Sequence, residues 1–179
     1  MKHSRSIIAQ CLIDYFDIYF IQTSFKASLL FALLFSFSIS AEYYRDAKVL
    51  KVVDGDTVYV KYAEQTLKLR LLNIDAPELS QPYGNKSQFY LKSLIDSELI
   101  DIETTGQDRY KRFLSTIYFE GNNINKLMVE RGLAWVYDDY VIDKTLYQHQ
   151  RSAIKNKTGL WSDPDSIPPW IWRKRSSKE

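Results

Sequence analysis

Three strand-like runs between residues 48 and 74 constrain the fold of this chain more than any other feature. Lys48–Val53 and Thr57–Tyr62 are rich in Val and Tyr, and the Asp-Gly-Asp sequence between them is typical of a turn. In the third run, Thr66–Ile74, leucines alternate with basic residues, so one face is apolar and the other is charged. The glycine of the turn is expected to supply backbone freedom. The pattern predicts an antiparallel three-stranded meander.

The order of the later elements predicts a small barrel. Helical spacing of apolar residues predicts a helix from Ser80 to Asp96, followed by strands at Leu99–Thr104 and Phe113–Phe119. A second helix is expected to stop at Gly132, and a third to run from about Lys144 to Asn156. The predicted fold class is therefore α+β, a five-stranded OB-like Greek-key β-barrel with three helices.

The first 41 residues have the composition of a leader. Ala27–Ile39 is an uncharged apolar run that follows Lys26 and precedes small residues, which is the pattern of a signal peptide. The run is short for a membrane-spanning helix, which needs about 20 apolar residues. We expect cleavage after Ser40 or Ala41 and a secreted or periplasmic protein. Because the segment 1–25 is long for the start of a signal peptide, membrane anchoring by the uncleaved leader is the alternative.

The chain is expected to have three parts: a leader at residues 1–41, a barrel domain at 42–165, and an aromatic and basic tail at 166–179. In the tail, two tryptophans precede the basic run Arg173-Lys174-Arg175. A tryptophan anchor that packs the tail on the domain, with solvated charges after it, is favoured over a dedicated binding arm.

Composition narrows the chemistry that is available. The only cysteine is Cys11, so an intramolecular disulfide and a cysteine-rich zinc site are excluded. Of the two histidines, His3 lies in the predicted leader, so a two-histidine acid–base mechanism is not expected. The net charge is only +2, so any nucleic-acid binding must depend on local clustering of charge. Catalysis is expected to depend on carboxylates, arginines, tyrosines and a bound metal.

Two carboxylates are expected to meet at the strand ends. Asp56 opens the second strand and Asp75 closes the third, so antiparallel pairing brings them together. Two neighbouring carboxylates repel each other unless a cation or a proton lies between them. Oxygen ligands without Cys or His favour a hard cation, Ca²⁺ or Mg²⁺, and so sparse a set favours weak binding that substrate phosphate completes.

Two arginines and a glutamate lie near these carboxylates in the predicted fold. Arg70 and Arg112 come from separate segments and would clamp a phosphate, where positive charge stabilises a phosphoryl transition state. Glu78 would then orient or deprotonate water. The alternatives are a surface ion pair at the end of the third strand and a solvated charged turn at Asp108–Arg112.

Five segments together resemble the staphylococcal nuclease (thermonuclease) family, in the family's order and spacing. They are Val53–Thr57 (VDGDT), Leu69–Glu78 (LRLLNIDAPE), Asp108–Arg112 (DRYKR), Arg131–Ala134 (RGLA) and Gly159–Ser162 (GLWS). The resemblance covers roughly Ala47 to Ser162, nearly the whole chain after the leader. It implies a Ca²⁺-dependent phosphodiesterase that acts on DNA and RNA and leaves 3′-phosphate ends.

By position, the resemblance also implies roles for individual residues. The metal ligands would be Asp56, Asp75 and the backbone carbonyl of Ala76, the catalytic groups Arg70, Arg112 and the general base Glu78, and the nucleotide contacts Arg109 and Tyr110. Tyr137 and Tyr140 are candidates for stacking on a base, with buried structural tyrosines as the alternative. Lys111 stands where the family usually has glycine, so the turn that presents Arg112 is the departure nearest to the chemistry.

The predicted function is an exported calcium-dependent endonuclease with little sequence specificity. Its partners would be single-stranded DNA and RNA and double-stranded DNA, with no obligate protein partner, and a monomer is expected. The alternative is a non-catalytic OB-like nucleic-acid-binding module on the same fold. A membrane-anchored structural protein would account for the apolar leader but not for the charged groups.

Overall fold

The computed structural model describes residues 41–138 and 141–176, which contain eight strands and four α-helices. The strands are β1 Glu42–Val52, β2 Thr57–Tyr62, β3 Gln65–Leu71, β4 Ile74–Asp75, β5 Leu99–Gln107, β6 Phe113–Phe119, β7 Asn122–Asn123 and β8 Trp135–Val136. The helices are α1 Gly84–Ile95, α2 Ile124–Glu130, α3 Leu146–Lys155 and α4 Pro169–Ser176, with a 3₁₀ turn at Gly159–Ser162. Except for Ala41, the predicted leader lies outside these ranges.

Five of the strands close into a barrel. Their order is β3-β2-β1-β5-β6 with antiparallel neighbours, and β3 also pairs with β6 in parallel. This last pairing joins the two ends of the sheet, which removes the exposed edges that an open sheet would have. The predicted α+β class with a five-stranded OB-like barrel is confirmed, but the described residues form four helices instead of three, because the tail forms α4.

Alternation along the strands places apolar side chains inside the barrel. Leu67, Leu69 and Leu71 are at most 5% exposed, and Leu91 of α1 is fully buried. Burying side chains of this size contributes about 1.5–3 kcal/mol each. The core therefore holds β3 firmly, and the opposite face of the same strand presents Arg70.

A bend interrupts the run that the sequence predicts as one strand, Thr66–Ile74. Asn73 has φ of 69°, in the left-handed region that asparagine tolerates better than most residues. Its side-chain Oδ1 accepts a hydrogen bond from Ile142 N at 2.6 Å, and its carbonyl accepts one from Tyr137 N at 3.0 Å. The bend ends β3 and lets β4 pair with β8, and this pairing sets the position of Asp75.

A buried asparagine ties α2 to the sheet beneath the bend. Asn125 is 2% exposed. Its Oδ1 accepts a hydrogen bond from Ile117 N at 3.2 Å, and its Nδ2 donates to Ser115 O at 2.9 Å and to Leu72 O at 3.1 Å. One side chain therefore bonds three backbone groups in two places, Leu72 just after β3 and Ser115 and Ile117 within β6.

Replacing this asparagine is expected to destabilise the domain. Asn125→Leu leaves buried backbone groups without partners, so the free energy of unfolding should fall by about 2–3 kcal/mol, measured by urea denaturation. Asn122→Ala is the control, because Asn122 is exposed and should change the value by less than about 0.5 kcal/mol. Equal stability of both variants would show that the Asn125 hydrogen bonds contribute little.

Within the two described ranges, no helix is both long enough and apolar enough to cross a membrane.

Candidate active site

Arg70 joins the two predicted metal-binding carboxylates. Its Nη2 lies 2.8 Å from Asp75 Oδ1 and 3.2 Å from Asp56 Oδ2. Its Nη1 donates hydrogen bonds to Leu71 O at 2.8 Å and to Ile74 O at 2.9 Å. The structure thus brings the carboxylates together on one nitrogen atom, and the same guanidinium spans the bend between β3 and β4.

The turn that carries Asp56 packs directly on the residue after Asp75. A Cβ atom at Gly55 would lie 1.9 Å from Ser87 Oγ and 2.6 Å from Ala76 Cβ. The φ of Gly55 is not left-handed, so the glycine is needed for this close approach, and the expectation that it supplies backbone freedom is wrong. Asp54 Oδ1 accepts a hydrogen bond from Asp56 N at 2.9 Å, and Asp56 Oδ2 accepts one from Ala76 N at 2.6 Å.

The neighbouring positive charge and hydrogen bonds do not fully offset the cost of burying a charged Asp56 carboxylate. Burial raises the pKa of Asp56 above its usual range, and the charge of Arg70 opposes this rise only in part. The charges of Asp54 and Asp75 add to the rise, while the hydrogen bond from Ala76 N lowers the pKa. An additional cation beside the two carboxylates would relieve this imbalance.

The backbone of Glu78 is positioned by the start of α1. Glu78 O accepts a hydrogen bond from Gln81 N at 2.8 Å. A Cβ atom at Gly84 would lie 1.9 Å from Glu78 O, so only glycine lets the helix begin so close. The side chain of Glu78 is 37% exposed, which leaves its carboxylate accessible to solvent.

Arg112 is paired within its own turn. Asp108 Oδ2 lies 2.7 Å from Arg112 Nη2 and accepts a hydrogen bond from Arg112 Nε at 2.8 Å. Asp108 Oδ1 accepts hydrogen bonds from Arg112 N at 3.0 Å and Tyr110 N at 2.8 Å. Burial raises the pKa of Asp108, but these hydrogen bonds and the Arg112 charge outweigh it and lower the pKa below its usual range. The turn therefore holds a charged aspartate and orients Arg112.

Lys111 takes the conformation that glycine favours. Its φ is 60°, and Lys111 N donates a hydrogen bond to Asp108 O at 2.9 Å, which closes the turn. A left-handed conformation costs a residue with a Cβ atom about 1–2 kcal/mol. The substitution of lysine for glycine thus leaves the turn intact at some expense of stability.

Lys111→Gly is accordingly expected to stabilise the protein. Glycine removes the backbone strain of the folded state, but it also raises the conformational entropy of the unfolded chain. Because the first effect is the larger, the free energy of unfolding should rise by about 0.5–1 kcal/mol in urea denaturation. Lys111→Val is the matched control, because a β-branched residue suits φ of 60° poorly and should lower stability. A glycine variant no more stable than the parent would contradict the strain argument.

Arg70 lies in β3, and Arg112 ends the turn that leads into the neighbouring strand β6; each arginine has a carboxylate partner. Leu69 of β3 pairs in parallel with Phe113 of β6, so Arg112 directly precedes the residue that pairs with Leu69. Arg70 is bonded to Asp75, whereas Arg112 is bonded to Asp108. A phosphate clamp would require both arginines to exchange carboxylate contacts for phosphate oxygens.

An exposed tyrosine lies beside Arg112. The side chain of Tyr110 is 64% exposed. The guanidinium carbons of Arg109 and Arg112 lie 4.8 and 5.6 Å from the centre of its ring. An exposed aromatic ring beside two cations suits contact with both a base and a phosphate.

Of the other two candidate tyrosines, only Tyr137 lies within the described residues. Tyr137 is half-buried, and its ring stacks on Trp170 of α4 with centroids 5.4 Å apart and an interplanar angle of 25°. It is therefore engaged by the tail in this arrangement. Tyr140 lies outside the described residues.

Arg173 of α4 occupies the site, and the sequence interpretation missed it. Its Nη1 lies 2.8 Å from Glu78 Oε1 and 3.2 Å from Asp75 Oδ1, and its Nη2 lies 2.8 Å from Asp75 Oδ2. The expectation that the charges after the tryptophans are solvated is wrong for this residue. The available signal was helical spacing, because Trp170 and Arg173 are three residues apart and so share a helix face.

The donor atoms fit a hard cation but form a sparse set. Within residues 41–138 and 141–176, no three or more His, Cys, Asp or Glu side chains are grouped closely enough to hold a metal ion. The candidate donors are the carboxylates of Asp56 and Asp75 and the carbonyl of Ala76, all oxygen atoms of the kind that calcium prefers. In this arrangement Arg70 contacts both carboxylates, and Arg173 contacts Asp75.

Comparison with known proteins matches most of this domain. Residues 68–163 match the profile of a protein family described as staphylococcal nuclease homologue. A protein named uncharacterized endonuclease from Escherichia coli O157:H7 is 44% identical over 129 residues, which are 72% of this chain and 84% of the relative. A protein of the same name from Haemophilus influenzae is 37% identical, covering 82% of this chain and 85% of the relative. A micrococcal nuclease from Shigella flexneri is 36% identical, covering 72% and 80%.

Proposed function

This chain belongs to the staphylococcal nuclease family, and from that premise we propose that it is a calcium-dependent endonuclease that cleaves phosphodiester bonds of DNA and RNA, leaving 3′-phosphate ends. The family supports the coarser statement, a hydrolytic nuclease, on its own. The calcium, the range of nucleic acids and the product ends are the finer proposal. The observation that carries it is the meeting of Asp56 and Asp75 on one nitrogen atom of Arg70, beside Glu78.

Each charged group of the site has a task in this reaction. Arg70 and Arg112 would bind the phosphate with their planar guanidinium groups and stabilise the charge that builds up during phosphoryl transfer. Glu78 would accept a proton from the attacking water, since its carboxylate is accessible to solvent. Asp56 and Asp75, with the Ala76 carbonyl, would hold calcium, which supplies positive charge that offsets the charge of the phosphate.

Substrate contacts outside the reacting phosphate would come from the turn before β6. Arg109 would contact phosphate, and Tyr110 would stack on a base. Tyr137 would be free to contact a base only after Trp170 has moved away. Because phosphate contacts carry no sequence information, we expect single-stranded DNA, double-stranded DNA and RNA to be cleaved with little sequence preference.

Two further proposals concern the oligomeric state of the protein and its location. We propose that the protein acts as a monomer without an obligate protein partner. We also propose export to the periplasm or the medium, supported by the signal-like run at Ala27–Ile39.

Digestion with and without a chelator tests the calcium nuclease. The full-length chain is expected to degrade single-stranded DNA and RNA in Ca²⁺, to stop in EGTA, and to resume when excess Ca²⁺ is restored. The Glu78→Gln variant, purified in parallel, controls for contaminating nucleases. Cleavage that persists in EGTA would overturn the calcium requirement. Binding of nucleic acid without any cleavage would overturn the enzyme in favour of a binding module.

A further inference from the structure

The tail brings a third arginine to the catalytic centre. Arg173 makes a two-pronged contact with both carboxylate oxygens of Asp75 and a further contact of 2.8 Å with Glu78 Oε1. Arg173 belongs to α4, which begins after residue 163, where the family match ends.

Aromatic packing holds α4 against the site. Trp170 stacks on Tyr137 and meets Trp135 edge to face at 5.9 Å. Trp135 in β8 is the register partner of Asp75 in β4. Trp170 is therefore anchored on the strand that pairs with the metal-binding strand, and Arg173 lies one helical turn further along.

Arg173 competes for the groups that the proposed reaction needs. Asp75 Oδ2 is bonded to Arg173, and Asp75 Oδ1 is shared between Arg173 and Arg70. Glu78 Oε1, which would receive the proton from water, is also bonded to Arg173. A divalent cation at Asp75 requires the guanidinium to leave, and a water molecule at Glu78 Oε1 competes with the guanidinium for that oxygen.

The ion pair between Arg173 and the site carboxylates can be released, as a reversible block of the site requires. A guanidinium stays charged across physiological pH, so a change of pH would not release Arg173. The side chain of Arg173 is 42% exposed whereas that of Asp75 is 1% exposed, so the guanidinium can withdraw into water, but the buried carboxylate then needs another cation in its place.

We propose that α4 is an autoinhibitory segment, in which Arg173 acts as a tethered cation that occupies Asp75 and Glu78 and must withdraw before calcium and substrate bind. The inference rests on the proposed function, because it takes Asp75 as a metal ligand and Glu78 as the base. Calcium and the tail then compete, so the population of the withdrawn state sets the apparent affinity for calcium.

Calcium binding by the full-length chain tests this competition without any substrate. Arg173→Gln removes the charge and keeps a long polar side chain. Isothermal titration with Ca²⁺ alone should show at least about tenfold tighter binding than in the parent, as expected if the docked state holds about nine-tenths of the molecules. Arg175→Gln is the matched control, because Arg175 is an exposed arginine on the same helix, and its affinity should stay within about twofold. The Ca²⁺ concentration for half-maximal cleavage of single-stranded DNA should shift by the same factor.

Tryptophan fluorescence gives a second readout if Arg173→Gln folds poorly. All four tryptophans of the chain belong to β8, the 3₁₀ turn or α4. Adding Ca²⁺ to the parent should change their emission as Trp170 leaves Tyr137, and Trp170→Ala should bind Ca²⁺ more tightly, as Arg173→Gln does.

The outcomes separate this inference from the proposed function. Unchanged calcium affinity in both Arg173→Gln and Trp170→Ala would overturn the autoinhibitory role. Lost cleavage with unchanged calcium affinity in Arg173→Gln would overturn it as well, and would identify Arg173 as a phosphate-binding residue. Tighter calcium binding in Arg173→Gln, with no cleavage by any form of the protein, would support the block at Asp75 while refuting the nuclease.

Discussion

Glu78→Gln is expected to lower kcat by about 10²–10⁴-fold, the usual contribution of a general base. The amide keeps the size of the side chain but cannot accept the proton from water. The effect should appear in kcat, with KM changed little, because Glu78 would act on water and does not bind phosphate. Single-turnover cleavage of a short single-stranded DNA measures the chemical step directly.

The fold should tolerate this substitution. The Glu78 side chain is 37% exposed and its ion pair with Arg173 is open to water, so the free energy of unfolding should change by less than about 1 kcal/mol. Glu64→Gln is the matched control, since Glu64 is almost fully exposed on the β2–β3 turn and should leave kcat unchanged. Parental kcat in Glu78→Gln would remove Glu78 from the role of base.

Arg70→Ala is expected to damage both activity and stability. Loss of a transition-state donor typically lowers kcat by about 10²–10³-fold. The side chain is only 11% exposed and also spans Asp56, Asp75 and the β3–β4 bend, so its removal leaves the buried Asp56 without its ion-pair partner. Breaking a buried ion pair in this way costs about 3–5 kcal/mol of unfolding free energy. Urea denaturation and cleavage rates measure the two effects.

Calcium and a lysine variant separate the two roles of Arg70. Saturating Ca²⁺ should restore part of the lost stability of Arg70→Ala, because binding to the folded state stabilises it and a cation would again lie beside Asp56 and Asp75. Arg70→Lys keeps the charge and should be more stable than Arg70→Ala, yet it should remain poorly active, since an ammonium cannot form the two-pronged contact. Arg151→Ala, at an exposed position of α3, is the control and should match the parent in both measurements. Parental stability of Arg70→Ala would show that the carboxylates do not depend on this arginine.

Much of the barrel could be predicted from the residue types along the chain. The strands at Thr57–Tyr62 and Phe113–Phe119 have the predicted bounds, because β-branched and aromatic residues that favour strands fill them and polar turn residues flank them. Asp56 and Asp75 meet as predicted, but not through the predicted pairing of the second and third strands. Asp75 lies in β4, which pairs with β8 after the bend at Asn73.

Features that depend on packing were predicted less well. The bend at Asn73 needs hydrogen bonds to Ile142 and Tyr137, which lie far along the chain and leave no periodic signal near residue 73. Gly55 is a glycine of the expected turn, but its reason is the proximity of Ser87 and Ala76, which only the packed structure reveals. The residue types of the turn therefore predicted the position of Gly55 correctly, but the reason for the glycine is close packing and not backbone freedom.

The amino-acid sequence by itself determined the barrel class, the family and the charged residues from which the site is built. Only the tertiary structure decided which of those charges are paired, and it added Arg173, which contacts Asp75 from 98 residues away in the chain. Hydrophobic periodicity acts over one strand or one helical turn, so it specifies elements and their buried faces. A contact between the tail and the site depends on how those elements close upon one another, and the packing of Trp170 on Tyr137 provides that closure here.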